Sequence, residues 1–147
     1  MNLTPMSAIA TLAGRKPLKS EWKTWVLEEP AVWETDAGKF IVVPIGFMTD
    51  FASIPFFFRW WQTGSVGPQR TAAYFHDFLY SSQDQISRKE ADGIFRDVMK
   101  EISTDSLRNK IRRNLMYSAL RAGGWMAWRT NQKKYREHGP NWRVLSD

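Results

Sequence analysis

The pattern of apolar residues changes at Pro68, and this change constrains the fold more than any other feature of the 147-residue sequence. Before Pro68 the apolar residues form short aromatic and β-branched runs. One run, Lys39–Val43, follows the turn Asp36-Ala37-Gly38, which predicts a β-hairpin. After Pro68 the apolar residues recur every three to four positions, which predicts amphipathic helices. The sequence therefore predicts an α+β fold: a small N-terminal antiparallel sheet (hairpin), an aromatic-rich loop and a three-helix C-terminal part.

Three helices follow from the second pattern. The first is predicted over residues 69–82. Ser87-Arg88-Lys89-Glu90 has the form of a capping box and begins the second, which extends to about Ile102. Asp105 can cap the third, whose apolar stripe is expected to be buried. The residues of that stripe are Leu107, Ile111, Leu115, Ser118, Ala122 and Trp125.

The length of the chain predicts a single domain over residues 1–147. We divide it into a flexible arm (1–14), a β part (20–45), a loop (46–68), a helical part (69–130) and a basic tail (131–147). No run approaches the roughly 18 apolar residues that span a bilayer. Met1–Gly14 lacks the cationic start of a signal peptide, so a soluble cytoplasmic protein is expected. The absence of cysteine excludes disulfides, thiol nucleophiles and zinc–thiolate sites.

The most informative polar residues lie on the first two helices. His76 and Tyr80 are one turn apart and share a face. His76 lies about 9 Å from the end of its helix, and Asp92 lies about 7.5 Å from the start of the next, at 1.5 Å per residue. A short loop makes the helices antiparallel, so the three side chains should meet across one seam. A histidine held by a carboxylate is a better base, and Asp77 on the adjoining face could hold a hard cation.

A purely structural interpretation of the same residues remains open. His76 could be a hydrogen-bonded core histidine, and Tyr80 a core residue with its hydroxyl at the rim. Asp92 has Arg88 and Arg96 four residues away on either side, so it could belong to a surface ladder of ion pairs.

The segment Asp50-Phe51-Ala52-Ser53 before Pro55 allows three interpretations. Its Asp and Ser side chains can bond nearby backbone amides in a turn. Asp50 could instead lie near His76 as a cation ligand or second carboxylate. Ser53 could be a nucleophile, although no Gly-x-Ser-x-Gly elbow surrounds it.

The C-terminal part of the chain is strongly basic. Residues 108–143 hold ten Lys and Arg against Glu137 alone, a local charge of +9. A solvated helix face with a polar tail is one explanation. Interleaved Trp and Arg are typical of a protein segment that binds an anionic membrane surface. Nucleic acid is the least favoured partner because no recognition motif is present. The residues assigned to surface binding are Arg112, Arg113, Arg121, Trp125 and Trp128.

Two motifs on the first two helices resemble the phospholipase A2 superfamily, especially its disulfide-free viral-capsid branch. They are His76-Asp77-Phe78-Leu79-Tyr80 and Ala91-Asp92-Gly93-Ile94-Phe95. The resemblance implies that His76 is the general base that activates water and that Asp92 orients it with help from Tyr80. It also implies a Ca²⁺ ion bound by Asp77 and a glycine-rich loop. The only candidate loop is Gly64-Ser65-Val66-Gly67-Pro68, so Gly64 and Gly67 join Asp77 and Asp50 as expected metal-site residues.

A second resemblance covers more of the chain. Gly46–Pro55, with its Thr49-Asp50-Phe51-Ala52-Ser53-Ile54-Pro55, is similar to the hallmark of an uncharacterised bacteriophage and prophage domain family. That family continues with motifs matched by His76–Tyr80 and Ser87–Phe95, and with an Arg- and Trp-rich helix matched by Arg112–Trp128. The resemblance implies a phage-derived protein of the host cytoplasm, with incorporation into the virion as a further option.

Together these features predict a phage-encoded, phospholipase A2-like hydrolase of lipid esters that uses a divalent cation. The expected partners are phospholipid or an anionic membrane surface, and other phage proteins. The alternative is a non-enzymatic virion, tail or host-interaction protein, which the aromatic loop Phe56–Trp61 would favour.

Overall fold

The computed structural model describes residues 3–49, 68–82 and 86–138. They fall into two compact units, one with all the strands and one with the three long helices. A small antiparallel sheet region followed by helices is an α+β fold, as predicted. Among the described residues, no helix combines the length and the hydropathy that crossing a membrane would require.

The N-terminal unit contains one short helix and two small sheets. Its elements are β1 (Leu3–Pro5), α1 (Met6–Leu12), β2 (Trp25–Leu27), β3 (Ala31–Glu34), β4 (Phe40–Val43) and β5 (Met48–Thr49). The first sheet has the antiparallel order β1-β2-β5, and the second pairs β3 with β4. The predicted hairpin is therefore present, and Gly38 provides the positive φ (73°) that its turn requires.

Two predictions for this unit were wrong. Residues 1–14 were expected to form a flexible arm, but β1 pairs with β2, and the Met6 N–H donates to the Thr24 carbonyl at 2.9 Å. Ala10 of α1 is buried. Met48–Thr49, inside the predicted loop, pairs with β2 as strand β5. Segments of two or three residues are too short to show a period, and pairing with a distant strand stabilises them.

The helical unit consists of α2 (Pro68–Ser81), α3 (Arg88–Ile102) and α4 (Leu107–His138). Each of these helices packs against the other two. The predicted capping box begins α3: Ser87 Oγ accepts from the Glu90 N–H at 3.2 Å, and Glu90 Oε2 accepts from the Ser87 N–H at 2.8 Å. The capping box fixes the residue at which α3 starts. It therefore also sets the position of each α3 side chain along the helix axis.

Helix α4 differs from the prediction at both ends. At its start, Ser106 Oγ accepts from the Asn109 N–H at 3.2 Å, which is the contact expected of a capping residue. Asp105, the predicted cap, lies 3.4 Å from Lys110 and 3.5 Å from Arg113. At its end, α4 continues through residues 131–138, which were expected to belong to a polar tail.

The buried face of α4 was also predicted wrongly. Leu107, Ile111, Leu115 and Trp125 are exposed, whereas the buried positions of the helix include Met116 and Leu120. The remaining buried positions are Arg113 and Gly124. Apolar residues occur on both faces of this helix, and periodicity alone favoured the face with the longer apolar stripe. Arginines on the other face bind carboxylates within the helical unit, which the hydrophobic pattern does not reveal.

Candidate functional site

His76 and Tyr80 of α2 meet Asp92 of α3 in the interior of the helical unit. His76 Nε2 lies 2.8 Å from Asp92 Oδ1, and the Tyr80 hydroxyl donates to the same oxygen at 2.6 Å. All three residues are 0% exposed. The seam that the helix spacing predicted is therefore present, and the catalytic roles of its residues stay predictions.

The carboxyl group of Asp92 is ionised in this environment. Burial acts to raise the pKa of Asp92, but hydrogen bonds from His76, Tyr80 and Arg121 together outweigh burial and hold the pKa below its usual range. A carboxylate can only accept hydrogen bonds, so His76 Nε2 carries a proton and donates it. In the neutral imidazole the basic lone pair then belongs to Nδ1.

Tyr80 is a fixed donor in the same cluster. Burial, followed by the hydrogen bond to Asp92, raises the pKa of Tyr80 above its ordinary value. The phenol therefore keeps its proton at neutral pH and can only help to hold the carboxylate. Its ring lies 4.0 Å from the imidazole, so it also fixes the position of His76.

Two arginines bind the second oxygen of Asp92. Arg121 Nη1 of α4 donates to Asp92 Oδ2 at 2.8 Å, and Arg88 Nη1 lies 3.4 Å from the same atom. Arg88 also donates to the carbonyls of Leu120 and Arg121 at 3.0 and 3.2 Å. All three helices of the unit are thus connected through one carboxylate, and its charge is neutralised from both α3 and α4.

Gly124 of α4 allows this cluster to be compact. A Cβ atom at position 124 would lie 2.6 Å from the Tyr80 hydroxyl oxygen and 3.4 Å from Arg88 Nη1. At neighbouring Gly123 a Cβ would meet nothing within 4 Å. Only the absence of a side chain at position 124 lets α4 approach Tyr80 this closely.

Aromatic rings surround the imidazole and the phenol. Phe95 presents an edge contact 5.5 Å from the His76 ring, and Trp128 lies 5.0 Å from the Tyr80 ring. The role predicted for His76, general base for water, implies an imidazole in a pocket that solvent reaches. That expectation was wrong for this conformation, because packing between three helices leaves His76 with no exposed surface.

The predicted metal site is described only in part. Asp77 is half-buried on α2. Asp50, Gly64 and Gly67 lie outside the described residues, as do Ser53 and the aromatic segment 56–61. Within the described ranges, no group of three or more His, Asp or Glu side chains is arranged to hold a metal ion.

The residues assigned to surface binding lie in different environments. Arg113 is buried and lies 3.5 Å from Asp105, so its assignment to a surface was wrong. Arg121 binds Asp92, and Trp128 packs on Tyr80. Arg112 is half-buried, and Trp125 remains exposed. An arginine on a helix was interpreted as a surface cation because nothing in its own segment identifies a carboxylate 29 residues away.

Sequence reasoning missed three contributors to the cluster. Arg88 had been considered only as a member of a surface ladder, yet its partner Asp92 is fully buried. Arg96, the other proposed member, lies over the Tyr117 ring at 4.3 Å. Arg121 and Gly124 came from a helix with no recognised link to His76. The Gly123-Gly124 pair was a usable signal, since adjacent glycines inside a helix indicate close packing.

A model of one protein family, described as a protein of unknown function (DUF1353), matches residues 25–120. The matched range contains α2 and α3 with His76 and Asp92, and the first part of α4. The comparison with curated proteins gave no match, and neither did the comparison with solved structures. The chemistry of the cluster therefore has to carry the functional argument.

Proposed function

We propose a function from the site itself, because this chain belongs to the DUF1353 family, whose description names no activity. The chain is a phage-encoded hydrolase of lipid esters, similar in chemistry to phospholipase A2. His76 is its general base, and Asp92 and Tyr80 position that base. The observation that carries the proposal is the shared carboxylate oxygen, which accepts from both His76 Nε2 and the Tyr80 hydroxyl.

The hydrogen bond to Asp92 gives His76 a defined chemical role. Because Nε2 donates to the carboxylate, Nδ1 is the atom that takes a proton from water. The hydroxide oxygen forms a bond to the ester carbonyl carbon, and the bond from that carbon to the alcohol oxygen breaks. The proton on Nδ1 passes to the departing oxygen, which leaves a free fatty acid and an alcohol. Ionised Asp92 stabilises the imidazolium that exists between these two transfers.

The choice of a lipid ester follows from the resemblance of His76–Tyr80 and Ala91–Phe95 to the phospholipase A2 motifs. In that family's arrangement one carboxylate holds both the histidine and the tyrosine, and the two distances to Asp92 Oδ1 support the same arrangement here. Turnover requires that the buried imidazole becomes accessible. Modification of His76 by diethyl pyrocarbonate, located by peptide mass spectrometry, measures that access.

A calcium ion is part of the proposal, with Asp77 as its ligand beside the base. When bound, the ion would stabilise negative charge on the ester oxygen. Calcium takes six to eight oxygen ligands, and one carboxylate supplies at most two. Asp77 alone would therefore supply only part of the coordination shell. Loss of activity in chelator and in Asp77→Asn, with recovery of the wild-type protein on adding Ca²⁺, is the expected result.

The principal test replaces His76 by glutamine. Gln places an amide N–H near the position of Nε2, so it can still donate to Asp92, but it has no basic nitrogen. We expect His76→Gln to lower the rate of fatty-acid release from phospholipid vesicles by at least about 100-fold. Its melting temperature should stay close to that of the wild type. Equal release by both proteins, or no release by the wild type, would refute the hydrolase.

Complete burial of His76, Tyr80 and Asp92 favours a second candidate function. Four donors bind one carboxylate, and three residues of this cluster, His76, Tyr80 and Asp92, have no exposed surface in this conformation, which also describes a structural core. The chain would then be a non-enzymatic phage component, in the virion or bound to a host protein. Under this alternative His76 variants change only stability, no vesicle substrate is hydrolysed, and the protein co-purifies with phage particles or with a host protein.

A further inference from the structure

Helix α4 presents a long apolar face that α2 and α3 leave exposed. We name it the outer face and define it by Leu107, Ile111, Leu115, Trp125 and Met126, whose exposed fractions lie between 45 and 73%. At about 100° per residue these positions share one side of the helix, with exposed Ser118 and Ala122 between them. The outer face extends for about 28 Å at 1.5 Å per residue.

Positive charge predominates along the outer face, and carboxylates lie near it only at its two ends, where Asp105 is 3.4 Å from Lys110 and Glu137 is 3.9 Å from Lys133. Residues 107–136 contain no Asp or Glu. Exposed cations lie beside the outer face at Arg108 and Lys110. Two more exposed cations, Arg129 and Lys133, follow Met126 along α4. The Arg129 guanidinium lies 5.1 Å from the Trp125 ring centre, at the boundary between the apolar and the basic stretch. An occupant must therefore combine apolar surface with negative charge.

We propose that the outer face of α4 lies on an anionic phospholipid bilayer. A helix whose apolar face carries Trp, Leu and Ile and whose margins carry Arg and Lys lies in the plane of the lipid interface. Its apolar side chains enter the acyl boundary, and its cations meet the anionic headgroups. A second copy of this chain is disfavoured, because it would bring two helices of like charge together. This proposal rests on the proposed function, for which it supplies the surface that approaches the lipid substrate.

Substitutions on the outer face should leave the helical unit folded. The opposite side of α4 makes the contacts with α2 and α3, and it carries the buried Met116 and Leu120. Polar substitutions on the outer face therefore remove little buried surface. Their effect on lipid binding can be separated from their effect on folding.

The test measures co-sedimentation with vesicles of equimolar phosphatidylcholine and phosphatidylglycerol. All variants carry His76→Gln, so that turnover does not change the lipid. We expect the parent to bind these vesicles and to bind vesicles of pure phosphatidylcholine at least about tenfold more weakly. The double variant Ile111→Ser, Leu115→Ser should lower binding to the mixed vesicles by about tenfold or more, at an unchanged melting temperature. The matched control, Val32→Ser, removes a similarly exposed apolar side chain from β3 and should bind like the parent.

Three outcomes would overturn the proposal: a parent that ignores the mixed vesicles, a double variant that binds like the parent, or a dimeric parent that the double variant converts to monomer. The last outcome would assign the outer face to a second copy.

Failure of the outer-face proposal is distinguishable from failure of the hydrolase proposal. A wild-type protein that hydrolyses a water-soluble short-chain ester but does not bind vesicles contradicts the outer-face proposal alone. A protein that binds through the outer face and hydrolyses nothing contradicts the hydrolase alone.

Discussion

Asp92→Asn should lower the free energy of unfolding by about 3–5 kcal/mol, the range observed when one partner of a buried ion pair is removed. Asn has nearly the same volume as Asp, so no cavity forms. It replaces one carboxylate oxygen by an NH₂ group, which is itself a donor. The donors around Asp92 come from His76, Tyr80, Arg88 and Arg121, and at least one of them would then face another donor.

Urea unfolding followed by circular dichroism measures this difference. The matched control is Asp105→Asn, which also removes a carboxylate near two cations, Lys110 and Arg113. The Asp105 side chain and its nearer partner Lys110 are exposed, so water screens that ion pair and a smaller loss is expected. A loss for Asp92→Asn no larger than the loss for Asp105→Asn would contradict the role of Asp92 as the central acceptor.

The same carboxylate makes stability depend on pH in a defined direction. The pKa of Asp92 is lower in the folded protein than in the unfolded chain. Its contribution is therefore fully present above its unfolded pKa of about 4 and is lost as the pH falls through the lower, folded pKa. We expect the difference in stability between wild type and Asp92→Asn to shrink below about pH 4. A difference that stayed constant from neutral pH to pH 2 would show that Asp92 titrates alike in both states.

The sequence predicted those parts of the cluster that depend on spacing within a helix. His76 and Tyr80 are one turn apart, and the capping box at Ser87 sets the height of Asp92 on α3. These local rules, with a short connection, were enough to predict that the three residues meet. Burial depends instead on how α4 packs over the first two helices, and no local pattern specifies that packing.

Helix α4 shows why the remainder of the cluster was not predicted. Its apolar residues Leu107, Ile111 and Leu115 belong to the longer apolar stripe. The helix nevertheless packs through the face that carries Arg121 and Gly124. Each of those two residues is unfavourable on a buried helix face when considered alone. They become favourable only with partners from α2 and α3: the Asp92 carboxylate for Arg121, and the Tyr80 hydroxyl for the space at Gly124. Such pairs combine residues 29 to 44 positions apart (121 − 92 and 124 − 80).

Gly124→Ala should destabilise the protein, whereas Gly123→Ala should stabilise it. Alanine favours a helix by about 1 kcal/mol over glycine at either position. At position 123 the new methyl group meets nothing within 4 Å, so this gain is kept. At position 124 it would lie 2.6 Å from the Tyr80 hydroxyl oxygen, which Asp92 holds in place. Overpacking of this kind costs about 1–3 kcal/mol, so Gly124→Ala should be less stable than Gly123→Ala by about that amount in urea unfolding.

Removal of the Tyr80 hydroxyl tests the cause of that difference. In Tyr80→Phe the atom in closest contact is gone, and the ring carbon that carried it is 3.6 Å from the position of the added methyl group, an ordinary contact. Gly124→Ala should then stabilise the Tyr80→Phe protein by nearly as much as Gly123→Ala does. The wild type, the two single variants and the double variant form a double-mutant cycle whose coupling energy isolates the contact between Tyr80 and position 124. A coupling energy near zero would mean that α4 moves aside to admit the methyl group, and that Gly124 does not set the distance between α4 and the His76–Asp92 cluster.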